Sequence, residues 1–219
     1  MSEGEFLDGL SKANALLCYS RQKINDRILE RTPLLKVVCN IAVGYDNLDL
    51  GELTNRGVMA TNTPGILTET TADLTFSILM AAARRVAEAD HYVKSEQWQE
   101  WFPSLMLGKE VFGATIGIIG MGRIGKAVAR RAKGFNMKIL FYNRSHKTDI
   151  EEKLGAKYVS LKQLLQKSDY VVVLTPLTEE TKKIIGAKEF ALMRRDAILV
   201  NASRGATIDE TALIHTLQE

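Results

Sequence analysis

Thr115-Ile116-Gly117-Ile118-Ile119-Gly120-Met121-Gly122-Arg123-Ile124-Gly125 runs from a short β-branched stretch directly into a GxGxxG loop. The placement carries more than the pattern, because such a loop holds a phosphate only between a strand and the helix that it opens. Gly120 makes the tight turn, Gly122 admits a pyrophosphate to the backbone, and Gly125 lets the helix pack close to the strand. The helix N-terminus adds oriented N–H groups and the positive end of a dipole. Residues 123–133 continue as that helix and residues 138–142 as a second strand, so a βαβ unit that binds a dinucleotide is expected. At the end of the second strand, an Asp or Glu would bond a ribose 2′-OH and repel a 2′-phosphate. The chain has Asn143-Arg144-Ser145 instead, with Lys147 nearby. An uncharged amide, a guanidinium able to make a bidentate phosphate contact and a hydroxyl donor favour NADP(H). NAD(H) is retained as the alternative, with Arg144 stacked on adenine or turned to solvent.

The same alternation extends in both directions. Downstream, a helical turn at 150–154 and a strand at 157–159 are followed by a helix at 161–166 and a strand at 170–174. A helix at 188–193, a strand at 198–200 and a last helix at 208–217 complete the series, the last one opened by a Thr207–Glu210 capping box. Five βα units in a row predict an α/β protein with a doubly wound parallel sheet of Rossmann type. Upstream, residues 15–19, 35–39 and 58–60 read as strands and residues 23–30 and 48–56 as helices. Three strands are few for an independent open sheet, so this region is expected to be an incomplete domain. Between the two parts a helical pattern runs from Thr68 to about Val93, followed by an aromatic-rich loop from Trp98 to Gly108 that suits either packing or an oligomer arm.

Composition narrows the function classes. The 219 residues are 46% hydrophobic and 25% charged, as in an ordinary globular chain, which excludes disordered, collagenous and coiled-coil readings. The 29 Lys+Arg against 26 Asp+Glu leave a net charge of +3 with no basic run, so no nucleic-acid partner is expected. The acidic start and the absence of a long apolar run speak against a leader or a membrane span, and a cytoplasmic protein is expected. Cys18 and Cys39 lie in apolar stretches and read as two reduced thiols, with no metal site.

Two further segments leave predicted strands at the carboxyl edge of the sheet, where ligands of such folds sit: Thr175-Pro176-Leu177-Thr178 and Asn201-Ala202-Ser203-Arg204-Gly205. A cation at Arg204 is suited to hold a carboxylate and polarise a carbonyl. Together with Asn40-Ile41-Ala42-Val43-Gly44-Tyr45-Asp46-Asn47, Asn62-Thr63-Pro64-Gly65 and Thr70-Thr71-Ala72-Asp73, these motifs closely resemble the D-isomer-specific 2-hydroxyacid dehydrogenase family, in its glyoxylate/hydroxypyruvate reductase branch.

The resemblance implies a flavodoxin-like substrate-binding domain, incomplete, at residues 1–67. It implies a dinucleotide-binding Rossmann domain at 68–219, with a dimerisation helix and arm at 68–110 and hence a homodimer. Val43 and Gly44 match the loop whose N–H groups hold the carboxylate of a small 2-oxo acid, and Thr71 a position near the nicotinamide. Arg123 and Ile124 match the pyrophosphate contacts, Asn143 to Ser145 the ribose site, and Thr175, Pro176 and Ala202 contacts to the cofactor. Arg204 matches the catalytic arginine, and Leu105 or Met106 an arm residue that reaches the partner. Family members complete the site with a Glu and a proton-donating His that follow the arginine, and His91, His146 and His215 do not stand in for it. The expectation is therefore an internal piece of an enzyme, inactive alone. The rival expectations are a non-catalytic dinucleotide sensor like the family's corepressors, and a fragment that folds poorly.

Overall fold

The computed structural model describes residues 3–145 and 148–218, which divide into two compact units, 1–67 and 68–219.

In the first unit the elements are α1 (Glu3–Ser11), β1 (Ala15–Cys18), α2 (Asp26–Leu29), β2 (Val37–Asn40), α3 (Leu50–Asn55) and β3 (Met59–Thr61). The strands form a parallel sheet in the order β1-β2-β3. Two expected helices start later than their periodicity indicates. Ile24 and Leu48 pair instead as an isolated parallel bridge, with Ile24 N–H on Asn47 O at 2.8 Å and Asp49 N–H on Ile24 O at 2.8 Å. Helix formation then waits for the next cap, Asn25 for α2 and Asp49 for α3, each accepting from a backbone N–H three residues on. Helix α1, which the periodicity reading did not place, buries Leu7 and Leu10. The core joins Leu10, Cys18, Ile24, Leu29, Val38, Leu53 and Val58. Cys18 and Cys39 are free thiols, and burial, with a smaller contribution from Cys39, pushes the Cys18 thiol up from its ordinary value.

The second unit begins with α4 (Thr68–Ala83) and α5 (Val86–Lys94). After the arm come β4 (Thr115–Ile119), α6 (Arg123–Gly134), β5 (Lys138–Tyr142), α7 (Thr148–Leu154), β6 (Lys157–Tyr158), α8 (Leu161–Lys167) and β7 (Tyr170–Val173). The series closes with α9 (Ala187–Phe190), β8 (Ile198–Asn201), a 3₁₀ turn (Gly205–Thr207) and α10 (Glu210–Gln218). The sheet order is β6-β5-β4-β7-β8 and every pairing is parallel, the doubly wound arrangement expected. All four residues of β7, Tyr170-Val171-Val172-Val173, are buried because helices cover both faces. Tyr170 and Val172 join Ile116 and Ile118 in the core under α4 and α6, and Val171 and Val173 join Leu164, Leu165 and Phe190 on the other side.

One expected element is two. The helix from Thr68 to about Val93 breaks at Arg84 and Arg85, where Arg85 adopts the left-handed region at φ 55°. The cause is the returning arm: Lys109 N–H takes the Ala83 carbonyl at 2.7 Å, so that carbonyl is no longer available to continue the helix. Gly108 makes this approach feasible, since a Cβ there would stand 2.3 Å from Ala83 O. The same return is tied to the amino edge of the sheet. Lys109 Nζ bonds Asp196 at 2.7 Å, and Tyr170 donates its hydroxyl to Glu110 O at 2.8 Å. Burial, reinforced by Asp169, pushes that phenol up to about 12, so it remains a donor through the neutral range.

Candidate functional site

Ladder register sets the site. Ile119 pairs with Tyr142 on one side and Val173 on the other, and Val173 pairs with Asn201, so β5, β4, β7 and β8 end on one row. The loops carrying Asn143, Gly120, Thr175 and Arg204 all leave from that row. Its centre, between β4 and β7, is the point where the strand order reverses, the place in such sheets where ligands bind.

The three loop glycines differ in what surrounds them. Gly120, at φ 99°, has Thr175 N only 2.7 Å from where a Cβ would stand, so the loop after β7 lies against the turn. A Cβ on Gly125 would be 2.4 Å from Gly120 O, which shows how closely α6 packs on the turn. At Gly122 a Cβ would meet nothing within 4 Å. Gly122 is the helix N-cap, offers no side chain to the first-turn N–H groups, and no acidic residue occupies that turn. Open space beside a glycine, unfilled helix amides and an exposed Arg123 fit a diphosphate. Ile124 turns its side chain into the core, which leaves its backbone for that role.

The ribose end has a more specific construction than its residue types reveal. Half-buried Asn143 accepts Met121 N–H on Oδ1 at 2.7 Å, so it braces the glycine turn as well as standing at the strand end. Its carbonyl accepts the Tyr158 hydroxyl at 3.3 Å. Arg144 is 86% exposed and pairs with Glu180 at 3.2 Å, a solvent-screened contact that a phosphate can displace. Ser145 is exposed, whereas His146 and Lys147 lie outside the described residues.

Around Arg204 the backbone is held from two sides. The Arg204 carbonyl accepts Asn201 Nδ2 at 2.9 Å and Thr207 Oγ1 at 2.7 Å. Ser203 N–H bonds Asn201 Oδ1 at 3.0 Å, and the Ser203 hydroxyl donates to Thr175 O, joining this loop to its neighbour. Ala202 commits its N–H to Val173 O at 3.2 Å, so only its carbonyl is left for a cofactor. Pro176 is fixed through its carbonyl, which accepts Thr181 Oγ1 at 2.6 Å. The capping box expected at Thr207 is not formed. Thr207 is buried in the 3₁₀ turn with its hydroxyl on Arg204, and Asp209 receives the first amides of α10 instead. The bracing by Asn201 and Thr207 was missed in the sequence, although an Asn directly after a strand is an Asx-turn signal.

Thr71 stands in the first turn of α4 and makes no side-chain hydrogen bond to the sheet-edge loops among the described residues. His91 on α5 and His215 on α10 are exposed. In the first unit, Val43 and Gly44 occupy the turn after β2. Among the described residues no group of three or more His, Cys, Asp and Glu is placed to hold a metal, and no helix is long and apolar enough to cross a membrane.

A parallel doubly wound sheet with a glycine turn at its switch point defines a dinucleotide-binding α/β protein. Residues 76–219 match the D-isomer specific 2-hydroxyacid dehydrogenase, NAD binding domain, and the chain belongs to that family. It is 50% identical over 219 residues to the glyoxylate reductase of Korarchaeum cryptofilum, covering 100% of this chain and 66% of that protein. Among solved structures it is similar to the TT0316 protein of Thermus thermophilus, with TM-score 0.92, 39% identity, and coverage of 100% of this chain and 68% of that one. It is also similar to the D-lactate dehydrogenase of Aquifex aeolicus complexed with NAD and lactic acid, with TM-score 0.90, 32% identity, and coverage of 97% and 63%. The chain thus spans about two thirds of the length of these proteins.

Two glycine variants separate folding from ligand fit. Gly122→Ala is expected to leave the thermal midpoint within about 2 °C, because the methyl group meets open space, and to weaken NADPH at least about tenfold by standing where the diphosphate approaches. Gly125→Ala is expected to lower the midpoint by several degrees through collision with the Gly120 carbonyl. Calorimetry and nicotinamide fluorescence titration check both, and equal NADPH affinity in Gly122→Ala would overturn this placement of the diphosphate.

Proposed function

We propose that this chain carries the cofactor site and part of the substrate site of a reductase that converts a small 2-oxo acid of the glyoxylate or hydroxypyruvate type to the D-2-hydroxy acid with NADPH. The observation that carries this reading is the identity of 50% with a glyoxylate reductase, which extends through all 219 residues and so includes both units. NADPH over NADH is supported by Asn143-Arg144-Ser145, where no carboxylate opposes a 2′-phosphate and the Arg144 guanidinium is exposed.

Gly120, Gly122, Arg123, Ile124 and Gly125 would hold a nicotinamide dinucleotide, which when bound would be the source of a hydride. The Val43 and Gly44 amides hold the substrate carboxylate. Arg204, in the second unit, would offer a carboxylate a charge-assisted bond and draw electron density toward a neighbouring ketone oxygen. The braces on its carbonyl from Asn201 and Thr207 hold the Arg204 backbone in place. Thr175, Pro176 and Ala202 form the wall beside the cofactor, and Thr71 the approach to the nicotinamide. The alkoxide takes a proton from an acid that His91 and His215, exposed on α5 and α10, do not provide. Residues 1–219 accordingly bind ligands but turn them over at least about 10²-fold more slowly than a protein equipped with that acid.

Binding of oxamate, an isostere of a 2-oxo acid, to the NADPH-loaded chain tests the reading without requiring turnover. Arg204→Ala is expected to weaken oxamate about tenfold or more with the NADPH dissociation constant unchanged within about twofold, by calorimetric titration. Unaltered oxamate binding in the variant would favour the rival reading, a dinucleotide sensor. In the same titrations Arg144→Ala weakens NADPH about tenfold and leaves NADH untouched, and equal losses for both would remove the NADPH preference.

We also propose that the chain forms a homodimer through α5 and the arm. Val93, Trp98, Trp101, Phe102 and Leu107 are exposed there, an apolar surface of the kind that marks interfaces. Light scattering is expected to give twice the 24.4 kDa chain mass, and Trp101→Glu to return it to one chain. A wild-type chain that stays monomeric at high concentration would exclude this assembly.

A further inference from the structure

The turn that leaves β2 is held in an uneven way. Three successive carbonyls are captured from behind: Ala42 O by Thr63 N–H at 3.0 Å, Val43 O by Asn62 Nδ2 at 2.9 Å, and Gly44 O by Asn40 Nδ2 at 3.0 Å. The N–H groups of Val43 and Gly44, in contrast, meet no acceptor among the described residues. A trans peptide is planar with its C=O and N–H opposed, so fixing a carbonyl also aims the next residue's N–H the other way. Thr63 thereby sets the direction of the Val43 N–H, and Asn62 that of the Gly44 N–H. Unpartnered half-buried backbone donors are costly unless something accepts from them, and adjacent ones form a concavity suited to an anion.

Asn40 is itself locked. It is only 2% exposed, and its amide is paired with that of Asn47 in both directions at 3.3 Å. Asn47 Nδ2 also reaches Gln22 O at 2.9 Å, and the Cys18 thiol donates to Asn40 Oδ1 at 3.6 Å. Two buried amides with these partners have one satisfied orientation, so the donor toward Gly44 O cannot be exchanged for an acceptor without leaving polar atoms unpaired.

We infer that Asn62 is a positioning residue for substrate: by gripping the Val43 carbonyl it points the Gly44 N–H at a carboxylate beside the Val43 N–H that Thr63 aims, while Asn40 anchors the far side of the turn through the Gly44 carbonyl. This rests on the proposal that Val43 and Gly44 receive the carboxylate of a 2-oxo acid. The deciding variant is Asn62→Ala, because Asn62 is half-buried at the end of β3, whereas loss of Asn40 threatens the core of residues 1–67. In ¹⁵N–¹H spectra of the full chain titrated with oxamate, the Val43 and Gly44 resonances are expected to move in the wild type. Asn62→Ala is expected to raise the oxamate dissociation constant roughly 5- to 15-fold. A role in stability alone would lower the unfolding midpoint and leave oxamate affinity, measured well below that midpoint, unchanged. If the wild-type resonances move and Asn62→Ala binds oxamate as tightly, the positioning role is overturned and the carboxylate loop stands. If oxamate moves neither resonance in the wild type, the loop is not the carboxylate site and both readings fall together.

Discussion

The common finishing line of four parallel strands is the constraint on which the rest of the second unit depends. Tyr142, Ile119, Val173 and Asn201 share one row because the ladder has that register, and a slip of one residue would turn every side chain of a strand to the opposite face. The register is secured by burial on both faces of β7, where alternate residues belong to two different cores. Apolar packing far from the ligand edge therefore determines that a glycine turn, an amide, a proline loop and a guanidinium begin side by side.

A second regularity is how the loops at that row are stiffened. Asn143 takes a backbone N–H of the glycine turn, Asn201 takes the carbonyl of Arg204, and in the first unit Asn62 takes the carbonyl of Val43. A primary amide can grip a peptide group from either side and carries no charge that would compete for a ligand. Short amide side chains thus replace the helix and sheet bonds that a loop lacks. They do so at low conformational cost, since Asn has few rotatable bonds.

Most of the architecture was legible in the sequence because it follows from periodicity and glycine placement, both local properties. The strands of the five βα units and the GxGxxG turn were read within a residue of their observed positions, whereas the helices after β7 and β8, expected at 188–193 and 208–217, form at 187–190 and 210–218. What could not be read was decided by partners distant in the chain. The break between α4 and α5 depends on Lys109 N–H arriving at Ala83, and no residue near Arg85 announces it. Thr207 satisfies a capping pattern locally, yet the carbonyl of Arg204 is the better partner for a buried hydroxyl, so Asp209 caps the helix. Asn25 and Asp49 became caps because Ile24 and Leu48 found each other across 24 residues of chain. At the site, residue types indicated phosphate and carboxylate chemistry, while the direction in which each group is held came only from long-range hydrogen bonds.

The arm's return has a mechanical meaning. Lys109 and Glu110 are fastened to Asp196 and Tyr170, at the opposite end of the strands from the row that carries the ligand loops. The sheet lies between the two like a stiff plate. A pull on the arm is received at the starts of β7 and β8 and at the end of α4, away from the loops of the opposite rim. Such a plate insulates: sequence drift in the arm alters what the surface adheres to while the spacing of the opposite rim stays constant.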